Sequence, residues 1–151
     1  MAAQPSGENE RRIVVGVDGS ASSKAALAWA VRQAHLTGTV VEAVTAWQFP
    51  SAYGYPVPTL DTDFEELATK TVKDAIAEVL AGDDAADSIR YKVVEGNAAR
   101  VLIDESAGAD LLVVGSRGHG GFVEALLGST GQHAVHHATC PVVVIRAAPR
   151  S

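Results

Sequence analysis

Cysteine is almost missing from the chain: Cys140 stands alone among 151 residues, so no intrachain disulfide can form. Such a chain is not built for an oxidising compartment, and Cys140 reads as a small apolar side chain, with a reactive thiol as the alternative. Positive charge is in short supply too. Twelve Lys and Arg face 18 Asp and Glu, a net charge of −6, and no basic cluster interrupts the chain. Sequence-independent attraction to a phosphate backbone is thereby excluded, and nucleic acid is not an expected partner. No stretch approaches the roughly 18 consecutive apolar residues of a membrane span. Residues Met1 to Arg12 are polar and contain Pro5 and Gly7. They lack the apolar run of about 7 to 15 residues that a secretory leader needs. A loose tail over residues 1–11 is expected, followed by a single domain over 12–148, in a cytoplasmic protein. Aromatics make up 5% of the chain, so a 47% apolar fraction must build its core from aliphatic side chains, largely Ala and Val.

What is present alternates in character. Ile13 to Val17, Val40 to Ala46, Leu111 to Val114 and Val142 to Ile145 are short apolar runs rich in β-branched residues, and Ile89 to Val94 is a weaker one. Continuous runs of this kind suit strands buried on both faces of a parallel sheet. Between them lie helical periods. Leu27, Ala30, Val31 and Ala34 share one face, with Ser20 as N-cap and Gly38 past the end. Phe64, Leu67, Ala68, Val72, Ala75, Ile76, Val79 and Leu80 recur at three and four residues, and shorter helices fit Ala98 to Ala107 and Ser129 to Ala138. The order βαβαβαβαβ predicts one doubly wound α/β domain: an open five-stranded parallel sheet, order 3-2-1-4-5, with helices on both faces. The segment from Gln48 to Thr62, with three prolines and two tyrosines, is long for a loop and is either a lid or a spacer.

The chemistry concentrates in a glycine pattern. The fourth strand runs into Gly115-Ser116-Arg117-Gly118, and ten residues after Gly118 come Gly128-Ser129-Thr130, opening the last helix: G-x2-G-x9-G-[ST]. Glycines there let backbone N–H groups approach an anion, the hydroxyls of Ser129 and Thr130 add donors, and a helix N-terminus adds free N–H groups with partial positive charge. The plainer alternative, tight turns alone, suits any one of these glycines but not the spaced set. In an open parallel sheet the ligand crevice lies outside the carboxyl ends of the strands where their order reverses, which sets Asp18, at the end of strand one, opposite Gly115. A carboxylate repels phosphate, so Asp18 suits a ribose, an adenine or a bound Mg²⁺; alternatively it is a turn residue beside Gly19.

Other chemistries fit poorly. A Walker loop requires a lysine that is missing before Ser129, and G-x-G-x-x-G is absent after strand one. His133 and His137, four apart with His136 adjacent, lack an H-E-x-x-H context and read as a solvated helix face. His119 lies in the glycine loop and is either a ligand contact or a plain loop residue. Asp61, Asp63, Glu65 and Glu66 open the second helix, where negative charge suits the helix dipole. No nucleophile, base and orienting group form a set, so no catalytic residue is assigned.

The segments IVVGVDGS, AVTAW, EGNAARVLIDESAGADLLVVGSRGHGG and GSTGQHAVHHATCPVVVIR resemble the universal stress protein family, in its ATP-binding subclass, over nearly the whole chain from Arg12. The resemblance implies nucleoside contacts at Val17 and Asp18, a backbone contact to adenine at Ala46, a strand-four loop of Val114, Gly115, Arg117 and Gly118, and a phosphate turn of Gly128, Ser129 and Thr130. Arg117 falls where the family is often basic or histidine, which implies an approach to the phosphates. Gly131 departs from the pattern, since many members place a hydroxyl residue there. The resemblance also implies a homodimer through the last strand, Val142 to Ile145. The expected function is that of a nucleotide-responsive regulator with ATP and Mg²⁺ as ligands. The alternatives are a slow ATPase or autophosphorylating enzyme, a cyclic AMP binder, and a partner-recruiting module.

Overall fold

The computed structural model describes residues 11–49, 51–52, 55–56, 63–81, 89–116 and 128–146. In chain order the elements are β1 (Arg12–Gly16), α1 (Ala21–Thr37), β2 (Val40–Trp47), β3 (Ser51–Ala52), β4 (Tyr55–Pro56), α2 (Phe64–Val79), β5 (Ile89–Glu95), α3 (Ala98–Glu105), β6 (Leu111–Gly115), α4 (Ser129–His137) and β7 (Val142–Ile145). Five strands form a parallel sheet in the order β5-β2-β1-β6-β7, which is 3-2-1-4-5 when the strands of that sheet are counted alone. β3 and β4 pair separately as a small antiparallel hairpin. None of the described helices is long and apolar enough to cross a membrane.

The central position of β1 follows from its composition. Ile13, Val14 and Val15 are essentially inaccessible, because alternate side chains enter two different cores. Ile13 and Val15 pack with Leu27, Ala30, Val72 and Ala75 under α1 and α2. Val14 joins Val44, Leu102, Leu112 and Val114 under α3 and α4. Each such side chain contributes about 1.5–3 kcal/mol when removed from water, so the uninterrupted apolar run is what two covered faces require. The edge strand β5 is partly covered, and it carries Arg90 and Lys92, charges that discourage pairing with another chain. Its edge position explains why its apolar signal is the weakest.

Both ends of α1 fall as the sequence predicts. The Ser23 N–H donates to Ser20 Oγ at 3.3 Å, and Gly38 takes the left-handed conformation (φ 69°) while its N–H reaches Ala34 O. Asp63 caps α2 through the Glu66 N–H at 2.9 Å, and Asn97 caps α3 through that of Arg100. Asp61 lies outside the described residues. Two helices end earlier than their patterns suggest. α3 stops at Glu105 rather than Ala107, where the buried Arg12 guanidinium takes up the carbonyls of Glu105 (3.3 Å) and Ala107 (2.9 Å). Glu42 stands 3.8 Å from that guanidinium and 3.9 Å from Lys92, which itself donates to Glu105 at 2.8 Å. α4 stops at His137, with Ala138 already extended ahead of Pro141. β1 is displaced by one residue toward the N-terminus relative to Ile13–Val17. Val17 keeps one sheet bond to Val44 O, and Asp18 then turns the chain away.

Candidate functional site

The carboxyl ends of β1, β2 and β6 open into a cavity of about 710 Å³, completed by α2, α3 and the start of α4. A parallel sheet puts its crevice there because the crossovers after β1 and β6 leave on opposite faces. The volume falls within the range of small-molecule sites. Val17 and Asp18 come from the end of β1, Ala46 from β2, Val114 and Gly115 from β6, and Gly128, Ser129 and Thr130 from the start of α4. Eight of the ten residues singled out in the sequence therefore line one cavity. The other two, Arg117 and Gly118, lie outside the described residues, as do His119 and most of the segment read as either a lid or a spacer.

Asp18 is held from several sides. Its Oδ1 accepts the Ser20 N–H at 2.9 Å, its own N–H donates to Ser23 Oγ at 3.3 Å, and the preceding carbonyl, of Val17, accepts the buried Thr45 hydroxyl at 2.7 Å. The turn role and the site role thus coincide: the bonds that make Asp18 a turn residue also fix its carboxylate at the cavity. Among the described residues lining the cavity it is the one ionisable group.

Gly115 is there for a reason beyond anion approach. A Cβ at that position would stand 2.5 Å from Ser22 Oγ, 2.7 Å from the Ser22 carbonyl carbon and 2.8 Å from Ser23 N. The end of β6 therefore packs directly on the first turn of α1. The Gly128 N–H is already committed to the Ser116 carbonyl at 2.7 Å, while the Ser116 N–H donates to Ile145 at the end of β7. Gly128 is also the N-cap of α4 and supplies no side-chain cap. The N–H groups of Ser129, Thr130 and Gly131 follow it in the first turn, where an α-helix offers no internal acceptor, and all three residues line the cavity. An anion would meet partial positive charge at that end.

The rest of the lining has the opposite character. Trp47, Phe64, Leu67 and Ala68 form an apolar corner, with Gln48 and Thr71 as polar neighbours. Composition and motif spacing do not single these residues out. A signal was nonetheless present in α2: Leu67 belongs to the apolar stripe of the helix, yet it is 52% exposed, whereas Ala68, Val72, Ala75 and Ile76 are buried. The stripe is wider at its start than the core requires.

The model of the universal stress protein family matches residues 10–146. The chain belongs to the universal stress protein family. A universal stress protein of Mycolicibacterium smegmatis is 36% identical over 146 residues, covering 90% of this chain and 48% of its own length. The chain thus spans about half the length of the curated relatives it matches. Among solved structures, universal stress protein UspA from Lactobacillus plantarum is similar with a TM-score of 0.72 and 28% identity, over 90% of this chain and 97% of that one. A universal stress protein crystallised in complex with cAMP shares the fold, with a TM-score of 0.67 and 24% identity over 91% and 98% of the two chains.

Away from the cavity, two features of this universal stress protein resolve plainly. Cys140 is half-buried against the core under α3 and α4 rather than wholly inside it. His133, His136 and His137 are exposed along α4, and the His133 ring lies 3.0 Å from the Ser129 carbonyl through Nδ1. Among the described residues, no group of three or more His, Cys, Asp or Glu is placed to hold a metal ion.

Proposed function

We propose that the protein binds ATP in this cavity and acts as a nucleotide-responsive regulator in the cytoplasm. One observation carries the proposal: the uncapped first turn of α4, Asp18 and the end of β2 open into the same cavity. The phosphates would lie on Gly115 and Gly128 to Thr130, with Arg117 and Gly118 contributing from the intervening loop, the ribose by Val17 and Asp18, and the base by Ala46 and Val114. Mg²⁺ fits this donor set. It commonly takes one or two carboxylates, several waters and phosphate oxygens, and Asp18 is the carboxylate at hand. Bound there, the ion would neutralise phosphate charge beside Asp18.

A second reading, cyclic AMP as the ligand, is favoured by the relative of the same fold that holds cAMP. Backbone amides recognise phosphate oxygens without counting them, so the ligand must be decided by titration. Purified protein, stripped by denaturation and refolded, is titrated with ATP, ADP, AMP and cyclic AMP, with and without Mg²⁺. Tightest binding of ATP with Mg²⁺ supports the proposal, and tighter binding of cyclic AMP replaces it with the second reading. Single-turnover incubation with γ-labelled ATP separates a binder, which leaves the nucleotide intact, from a slow ATPase, which releases labelled phosphate, and from an enzyme phosphorylated at Ser129 or Thr130, which retains label on the protein. Pull-downs with and without ATP test the partner-recruiting reading.

A homodimer through β7 belongs to the same proposal. Val142 to Ile145 occupy an edge of the sheet and are half-buried in the single chain. An apolar edge of that kind is normally paired or covered. Sedimentation of the wild type against Val143→Lys measures it, with a dimer expected for the first and a monomer for the second.

A further inference from the structure

The chain has five histidines, and three of them fall within five residues at the end of α4. His133, His136 and His137 are all exposed, so the core does not require them. Nor does the cavity, whose described lining stops at Gly131 along this helix. His133 and His137 stand four apart, the spacing at which helical side chains lie one above the other. Their ring centroids are 6.0 Å apart, with the planes inclined by 31°. The ring of His133 is also fixed in its tautomer. Its Nδ1 lies 3.0 Å from the Ser129 carbonyl, and a carbonyl only accepts, so the proton sits on Nδ1 and the lone pair on Nε2. One ring nitrogen donating to a backbone carbonyl, with the lone pair on the other, is how a metal-ligating histidine is held.

We propose that Nε2 of His133 and a ring nitrogen of His137 hold one divalent transition-metal ion, of the Zn²⁺, Ni²⁺ or Cu²⁺ class that imidazole suits. The site is separate from the cavity and independent of the nucleotide reading. At a Zn–N distance of about 2.1 Å, two rings sharing an ion have centroids up to roughly 6.4 Å apart, and roughly 5 Å apart at a tetrahedral angle. The observed separation lies inside that span, and rotation of two exposed side chains closes the remainder. The position suits a cation as well. The last turn of α4 leaves its carbonyls without helical partners, at the negative end of the helix dipole. Among the described residues no third His, Cys, Asp or Glu joins the pair, so waters fill the remaining positions and the ion is exchangeable. His136 contacts the His137 ring at 6.3 Å and 59°, but sequence neighbours do not face each other on a helix, which leaves His136 outside the pair.

Calorimetric titration of the untagged full chain with Zn²⁺, after removal of metal by a chelator, tests this on the wild type, His133→Ala, His137→Ala and His136→Ala. Thermal unfolding confirms that each is folded. The wild type should bind one Zn²⁺ per chain. Either substitution in the pair should weaken binding by about tenfold or more, since losing a ligand costs at least as much as losing the group that orients it, and His136→Ala by less than about threefold. Nitrogen NMR of the histidine rings gives a second readout: Zn²⁺ should shift Nε2 of His133 while Nδ1 keeps its proton. Sedimentation should give the same mass with and without Zn²⁺, because one chain supplies both ligands. The site is overturned by absence of Zn²⁺ binding, by undiminished affinity in His133→Ala or His137→Ala, or by an equal loss in all three variants. Coordination of His133 through Nδ1, or a Zn²⁺-dependent rise in mass, would overturn it equally.

Discussion

Replacing Gly115 by alanine separates two reasons for a glycine at that position. The added Cβ would lie 2.5 to 2.8 Å from atoms of Ser22 and Ser23, two of which belong to the α1 backbone. The Ser22 hydroxyl can rotate; the backbone cannot, short of moving the helix away from β6. Overpacking of this kind typically costs about 1–3 kcal/mol, which for a domain near 150 residues lowers Tm by roughly 3–10 °C. The displaced turn also carries Ser23, whose hydroxyl accepts the Asp18 N–H, so nucleotide affinity should fall in the folded remainder. Thermal unfolding without ligand, followed by ATP titration well below the new Tm, measures both. A variant with unchanged Tm and reduced affinity would mean that the glycine serves anion approach alone, and would refute the packing argument. Unchanged Tm with unchanged affinity would also remove Gly115 from the site.

Three further perturbations have defined outcomes. Thr45→Val should cost about 1–3 kcal/mol by leaving the buried Val17 carbonyl without its donor, and Thr45→Ser should recover most of that in urea unfolding. Arg12→Met should cost about 3 kcal/mol, because it strips the carbonyls of Glu105 and Ala107 of their donor and leaves Glu42 with Lys92 alone; an equal stability by the same measurement would contradict the account of how α3 ends. Lys92 is held above its ordinary pKa of 10.5, chiefly by its hydrogen bond to Glu105 and further by the charge of Glu42, with burial opposing. A raised folded value stabilises fully below pH 10.5 and is lost as pH climbs through the folded pKa. Lys92→Met should therefore flatten the alkaline decline of stability, at a cost near pH 7 of under about 1 kcal/mol for so exposed a pair.

The fold was legible because its signals are local and redundant. Ser20 and Gly38 bracket α1, and the uninterrupted run at Ile13 requires two covered faces, so the alternation of strands and helices pointed to a doubly wound parallel sheet. Helix ends were less legible where a distant side chain decides them, as Arg12 does for α3 across 93 residues of chain. The polar half of the site was visible because glycines and hydroxyls must keep a fixed spacing to build an anion turn. The apolar half was not. Trp47, Phe64 and Leu67 are ordinary core-type residues in sequence, and only the packing reveals that the core leaves part of them uncovered. Gly115 was recognised for its position, while its contact with Ser22 and Ser23 depends on a crossing of two elements that no pattern within one of them encodes.

The central claim is that the cavity between β1 and β6 holds an adenine nucleotide by its phosphates, and direct titration of the stripped protein with ATP tests it most plainly. The account predicts saturable binding at one site per chain, competed by tripolyphosphate and weakened when Gly128→Pro or Asp18→Ala alters opposite walls of the cavity. Folded protein that binds none of ATP, ADP, AMP and cyclic AMP, with or without Mg²⁺, would contradict it.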